Sequence, residues 1–240
     1  MNRFLRAWPA SIERPEAIVV VSAHWEEAVV SITAAPAPGL LFDYYGFPPE
    51  TYEYRYPAPG NPGLAERVQG MLKQSAIEVR LEPERDFDHG LFVPLMLMYP
   101  EADIPCLQVS LDASLDPAVH VRIGQALAGL RAENLLILGS GFSFHNVQAL
   151  MSKNDDSIDP RNQAFESWLA ETLSDAELDE GERERRLIDW LQAPHARYCH
   201  PREEHLLPLQ VCYGFARGVA KTVFQEPVAG FIASAYEWRL

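Results

Sequence analysis

Val19-Val20-Val21-Ser22-Ala23-His24-Trp25 is the stretch on which the reading of this chain turns. The β-branched run from Ile18 to Val21 shows no polar alternation, so it reads as a strand buried on both faces, as in the middle of a parallel sheet. Ser22 and Ala23 end the run, and His24 follows just past its end. Open α/β sheets gather ligands at the carboxyl ends of their strands, which makes this position a candidate site.

Working outward, further strands are predicted over residues 28–34, 77–81, 105–111 and 134–138. Helical patterns lie between them at 62–74, 91–98 and 117–131, and a short amphipathic helix interrupted by Pro9 covers 3–12. Asn61-Pro62 supplies an N-cap and a first-turn proline for the helix that starts there. Alternating strand and helix predicts a single α/β domain with a central mixed, largely parallel sheet flanked by helices. From residue 160 the pattern is helical, at 161–172, 182–192 and 203–216, before two closing strands at 221–224 and 228–235. The charged stretch between the first two of these helices reads as a solvated face. A long segment, 36–62, is rich in proline and aromatics, among them Phe42, Tyr44, Tyr45, Phe47, Tyr52, Tyr54 and Tyr56. Loops of this length inside a compact domain are usually functional, so it is expected to wall a substrate pocket.

The bulk numbers narrow the function. Lys and Arg total 20 against 34 Asp and Glu, a formal charge of −14, which argues against nucleic acid or an anionic membrane as partner. No apolar run reaches the roughly 20 residues that span a bilayer, and no signal peptide is apparent. The three cysteines, Cys106, Cys199 and Cys212, show no short spacing, which suggests a reducing compartment. A cytoplasmic protein is the expectation, with its oligomeric state left open.

Four of the seven histidines share a setting. His24 follows a buried strand. His89 sits in Phe87-Asp88-His89-Gly90, where glycine permits close approach of another group. His145 follows a strand and the flexible Gly139-Ser140-Gly141, with Asn146 beside it. His205 opens an apolar helix behind Glu203 and Glu204. His120 reads as a surface helix residue, and His195 and His200 flank a Tyr-Cys loop. Neutral imidazole suits zinc, iron or copper, and imidazole also serves as general acid or base near neutrality. The four imidazoles are therefore expected to converge, at least partly around a metal ion. Spacing does not divide them between the two roles. No His-Glu-x-x-His, Cys-x-x-Cys, phosphate-binding glycine loop or G-x-S-x-G occurs, which removes the common zinc, nucleotide and serine-hydrolase motifs.

Several short motifs stand in order along the chain: Val-Ser-Ala-His24-Trp25, Gly46-Phe47-Pro48, Tyr56-Pro57-Ala58-Pro59-Gly60, Phe87-Asp88-His89-Gly90, Met98-Tyr99-Pro100, His145-Asn146 and Glu204-His205-x-Leu207-Pro208-Leu209. Together they resemble the extradiol ring-cleaving dioxygenases of the LigB type, in particular the 4,5-DOPA dioxygenase branch, from about residue 3 to the end. The resemblance implies a catalytic domain over 1–240 with a non-haem Fe(II) or Zn(II) site, opening a catechol-type substrate with O2. It implies His24 and His205 as metal ligands, His145 as a ligand or the base that deprotonates the catechol, and His89 as an acid or base beside substrate.

One departure accompanies the match. Members of that family open with a strand ending in His-Gly-Ser-Pro or similar, whose histidine is a further ligand, whereas this sequence starts at Met1-Asn2. A missing strand would leave a sheet edge unpaired. Three explanations follow: a misassigned start, a catalytically impaired relative that binds metal or a small molecule, or substitution of the ligand by His195 or His200. A zinc hydrolase on the same fold is a further alternative.

Overall fold

The computed structural model describes residues 1–153 and 157–240. In chain order, α1 (Asn2–Ala7) and a 3-10 turn over Trp8–Ser11 lead into β1 (Ala17–Glu27) and β2 (Val30–Thr33). The proline-rich segment then runs to α2 (Pro62–Gln74), β3 (Val79–Glu82), α3 (His89–Met98), β4 (Cys106–Asp112), α4 (Pro117–Ala126) and β5 (Leu135–Ser140). The second half holds α5 (Val147–Ser152), α6 (Pro160–Ser174), α7 (Glu180–Ile188), α8 (Ala196–Cys199) and α9 (Leu207–Ala216), and closes with β6 (Lys221–Val228) and β7 (Phe231–Glu237).

Five strands form one sheet in the order β3-β2-β4-β1-β5. β1 pairs in parallel with β4, Ile18 opposite Cys106, and with β5, Ala17 opposite Leu135. β2 is parallel to β3 but meets β4 antiparallel at Ile32 and Val109, which makes the sheet mixed. β6 and β7 form an antiparallel hairpin of their own.

The apolar run of β1 explains why helices cover both faces. Side chains alternate across a strand, so Val19 and Val21 join Leu64, Val68, Leu72, Ile123 and Val211 on one side. Ile18 and Val20 join Leu91, Phe92, Leu95 and Met98 on the other. All four β1 residues are fully buried. β5 lies at the edge of the sheet, and each of its residues is only partly buried.

The structure corrects several expectations. β1 continues past Ser22 to Glu27, so His24 lies on the strand and not beyond it. The pairing with β4 is nevertheless broken between Val21 and Glu26, and His24 occupies this irregular part, where a strand re-aims its side chains. His89 is the first residue of α3, whereas His205 precedes α9, in the turn before it. His120 is fully buried and not on the surface. Its Nδ1 lies 2.7 Å from the Asp116 carbonyl and its Nε2 accepts from the Asp112 amide, so the ring caps the β4–α4 turn. In α7, which follows the charged stretch, Arg183 is buried, its guanidinium donating to the Thr172, Asp175 and Leu178 carbonyls.

Candidate metal centre

Asp88 ties the carboxyl end of β1 to the start of α3. Its buried side chain caps α3 by accepting from the Gly90 amide at 2.9 Å and also accepts from the Ser22 hydroxyl at 2.9 Å. The Ser22 hydroxyl in turn accepts from the His24 amide at 3.2 Å. These bonds replace the broken ladder and bring His24 against His89. A Cβ on Gly90 would lie 2.4 Å from Ser22 Oγ and 3.1 Å from His24 Cδ2. Glycine is required there because two chain segments touch.

The other half of the site is built the same way. A Cβ on Gly141 would lie 2.2 Å from the His205 carbonyl oxygen, so the loop after β5 and the turn before α9 meet at their backbones. That contact sets His145 beside His205.

The four imidazoles form a row. His89 and His24 have ring centroids 3.8 Å apart, His24 and His205 4.9 Å, and His205 and His145 3.4 Å, the last pair stacked. A carboxylate stands at each end. Asp43 Oδ1 lies 2.6 Å from His89 Nδ1 and also accepts from the His89 amide, and Glu204 Oε1 lies 3.3 Å from His145 Nδ1. Among the described residues candidate donor atoms fall into two groups, His24, Asp43 and His89, and His145, Glu204 and His205, each within 4.8 Å. Convergence of the four predicted histidines is therefore what the geometry shows.

His205 is the buried ring of the four, and the other three are partly buried. Desolvation, reinforced by neighbouring imidazoles, pulls His24 down to about 4 and His205 down to about 2. Both are neutral at pH 7, as metal binding requires. The buried His205 Nδ1 has no hydrogen-bond partner among the described residues. Such an orphan is costly unless another group completes it, so this donor set fits a divalent cation. At the ends, burial pushes Asp43 and Glu204 up, but their hydrogen bonds to His89 and His145 outweigh it and hold both below the usual carboxylate value.

Sequence reasoning missed Asp43. It lies 46 residues from His89 in the aromatic segment, and nothing in its neighbours marks it. That segment does reach the site: Tyr44 meets the His89 ring edge-on at 5.4 Å and Phe42 packs on Phe92. Tyr45 and Phe47 point to solvent. Neither residue considered as a substitute ligand joins the row. His195 is exposed ahead of α8, and the Nε2 of the buried His200 is bonded to the Ser143 carbonyl.

Known proteins resemble this chain along most of its length. The family described as the catalytic LigB subunit of aromatic ring-opening dioxygenase matches residues 3–232. Dioxygenase tasH of Hapsidospora irregularis is 41% identical over 237 residues, covering 94% of this chain and 72% of that protein. The 4,5-DOPA dioxygenase extradiol of Beta vulgaris is 40% identical, covering 90% and 79%, and that of Escherichia coli K12 is 36% identical, covering 95% and 81%. The crystal structure of the uncharacterised Escherichia coli K12 protein JW3007 superposes with a TM-score of 0.81 at 31% identity, over 97% of this chain and 89% of that one. Among the described residues no helix is long and apolar enough to cross a membrane.

Proposed function

This chain belongs to the LigB family of extradiol ring-cleaving dioxygenases, and on that premise we propose that it opens the ring of a catechol-type, DOPA-like aromatic with O2 at the row of four histidines. The observation that carries the reading is the row itself, two neutral inner imidazoles between two imidazole–carboxylate pairs.

In this reading His24 and His205 hold an Fe(II) or Zn(II) ion, and His145 and Glu204 beside His205 are the next donors in reach. Bound there, the metal supplies the Lewis acidity that lowers the pKa of a catechol hydroxyl, and iron adds redox chemistry with O2. The protein's own part is proton handling and orientation. Glu204 turns the His145 ring by its Nδ1 and leaves Nε2 to accept the proton of a substrate hydroxyl. Asp43 fixes His89 in the same way, and His89 gives or takes a proton on the other side of His24. Tyr44 packs edge-on against the His89 ring and borders that side of the site.

Anaerobic loading with Fe(II), then addition of a catechol and O2, is expected to consume O2 and give a yellow ring-opened semialdehyde. Intact catechol in a fully iron-loaded sample overturns the reading. The Asp43–His89 pair gives a second test. Asp43→Asn keeps the shape of the side chain but removes the charge that fixes His89, and is expected to lower kcat by about tenfold to a hundredfold with metal content unchanged. Wild-type kcat in this variant would remove Asp43 from the mechanism.

A further inference from the structure

The loop that carries His145 belongs to no strand or helix. Between the end of β5 at Ser140 and the start of α5 at Val147, its course is set by bonds to distant parts of the chain. Three run to the segment at the end of α8. His200 Nε2 donates to the Ser143 carbonyl at 2.8 Å, the His145 amide donates to the Cys199 carbonyl at 3.0 Å, and the Asn146 amide side chain donates to the Tyr198 carbonyl at 2.7 Å. On the other side the Ser143 hydroxyl accepts from the Ser234 amide of β7 at 2.8 Å, and the Ser234 hydroxyl donates to Glu166 Oε2 of α6 at 2.6 Å.

His200 and Glu166 are costly residues to keep where they are. They are 0% and 1% exposed, and the His200 ring packs against Phe165 and Trp190. Apolar side chains would fill this space without the desolvation that buried polar groups suffer. Burial pulls His200 down to about 4 and pushes Glu166 up to about 7. A neutral His200 bonded to a carbonyl carries its one ring proton on Nε2, which fixes its tautomer. Among the described residues His200 Nδ1 and Glu166 Oε1 have no hydrogen-bond partner, so the bonds that each side chain does make fix its place and specify one geometry. The geometry they specify here is that of Ser143, two residues before His145.

We propose that His200 and Glu166 are positioning residues, which hold the backbone of residues 143–145 from behind the site and thereby set how the His145 ring meets His205 and the substrate. The catalytic half of this proposal rests on the function proposed above. Its structural half does not.

His200→Phe keeps a ring among Phe165 and Trp190 but loses the bond to Ser143, whereas His200→Gln can place an amide donor near Nε2. In His200→Phe, kcat is expected to fall by about a hundredfold, the scale of a small misplacement at a reacting centre. KM and metal stoichiometry should stay within about twofold, and hydrogen exchange at the His145 amide should quicken in the metal-free protein. His200→Gln should recover most of each loss. Wild-type kcat and exchange in the Phe variant, or equal impairment of Phe and Gln, overturns the proposal. Should the Phe variant not fold, Ser143→Ala carries the test: faster exchange at His145 with kcat down about tenfold supports the proposal, and no change overturns it. If the wild-type protein opens no catechol, the function proposed above fails, and amide exchange alone still decides whether these residues hold the loop.

Discussion

Replacing His205 with alanine is expected to empty the site of divalent metal, with a loss in affinity of at least about a hundredfold, beyond what mutation of a supporting residue costs. His205 sits inside the row, in ring contact with His24 on one side and His145 on the other, so no neighbour can take its place without moving. Its buried Nδ1 has no hydrogen-bond partner among the described residues, and burial holds the ring neutral. His24→Ala should give the same result, because the proposed ion is held between the two inner rings and the outer imidazoles are each tied to a carboxylate, Asp43 or Glu204. His195→Ala is the control. His195 is exposed and outside both donor groups, so metal stoichiometry should match that of the wild type. Metal analysis after dialysis, with titration calorimetry for the affinity, checks all three. Retention of one ion per chain in both His24→Ala and His205→Ala would place the metal elsewhere.

How far this site could be read from the sequence depends on the range over which each contact acts. The β1 run was legible because a strand buried on both faces has to be apolar at every position, and that is a local property. The histidines were legible because each carries a local signal, an apolar run, a helix start or a nearby glycine, and Gly90 and Gly141 mark two places where another segment of the chain closes on the site. Asp43 was not legible. Its contact with His89 exists only because an irregular loop folds back across α3, which no periodicity records. His120 was misread because helical spacing gives a face but not a hydrogen bond, and its ring turns inward to the Asp116 carbonyl and the Asp112 amide. The division of labour among the four histidines needed three-dimensional proximity. Glu204 precedes His205 in sequence, yet its partner in space is His145.

The same burial that prepares these imidazoles for metal makes the metal-free protein sensitive to acid. His24, His120, His200 and His205 all titrate below the ordinary histidine value, with desolvation the leading cause in each. In the unfolded chain they accept protons near pH 6.5. Below that pH the unfolded state binds more protons than the folded one, so stability falls as pH falls. For the fully buried His200, carried from about 6.5 to about 4, the loss by pH 4 is on the order of 3 kcal/mol. Glu166 works in the opposite sense. Raised to about 7 by burial, it contributes stability below the unfolded carboxylate pKa that is lost as pH rises toward 7. Burial raises Asp88 as well, so two carboxylates oppose four histidines, and the histidine contribution prevails. The urea midpoint of the metal-free protein is therefore expected to be highest above pH 6.5 and to drop between pH 6.5 and 4. A bound divalent metal should raise the midpoint without flattening that slope, because His24 and His205 are unprotonated in the folded state with or without it. His205→Gln, by contrast, should flatten it while losing the metal, since the group that takes up a proton on unfolding is gone. Urea titrations at half-unit pH steps, with and without metal, measure each slope. A metal-free wild type equally stable at pH 7 and pH 4.5 would mean that these imidazoles are not held neutral by burial, and the assignment of His24 and His205 as the inner, metal-ready pair would lose its electrostatic basis.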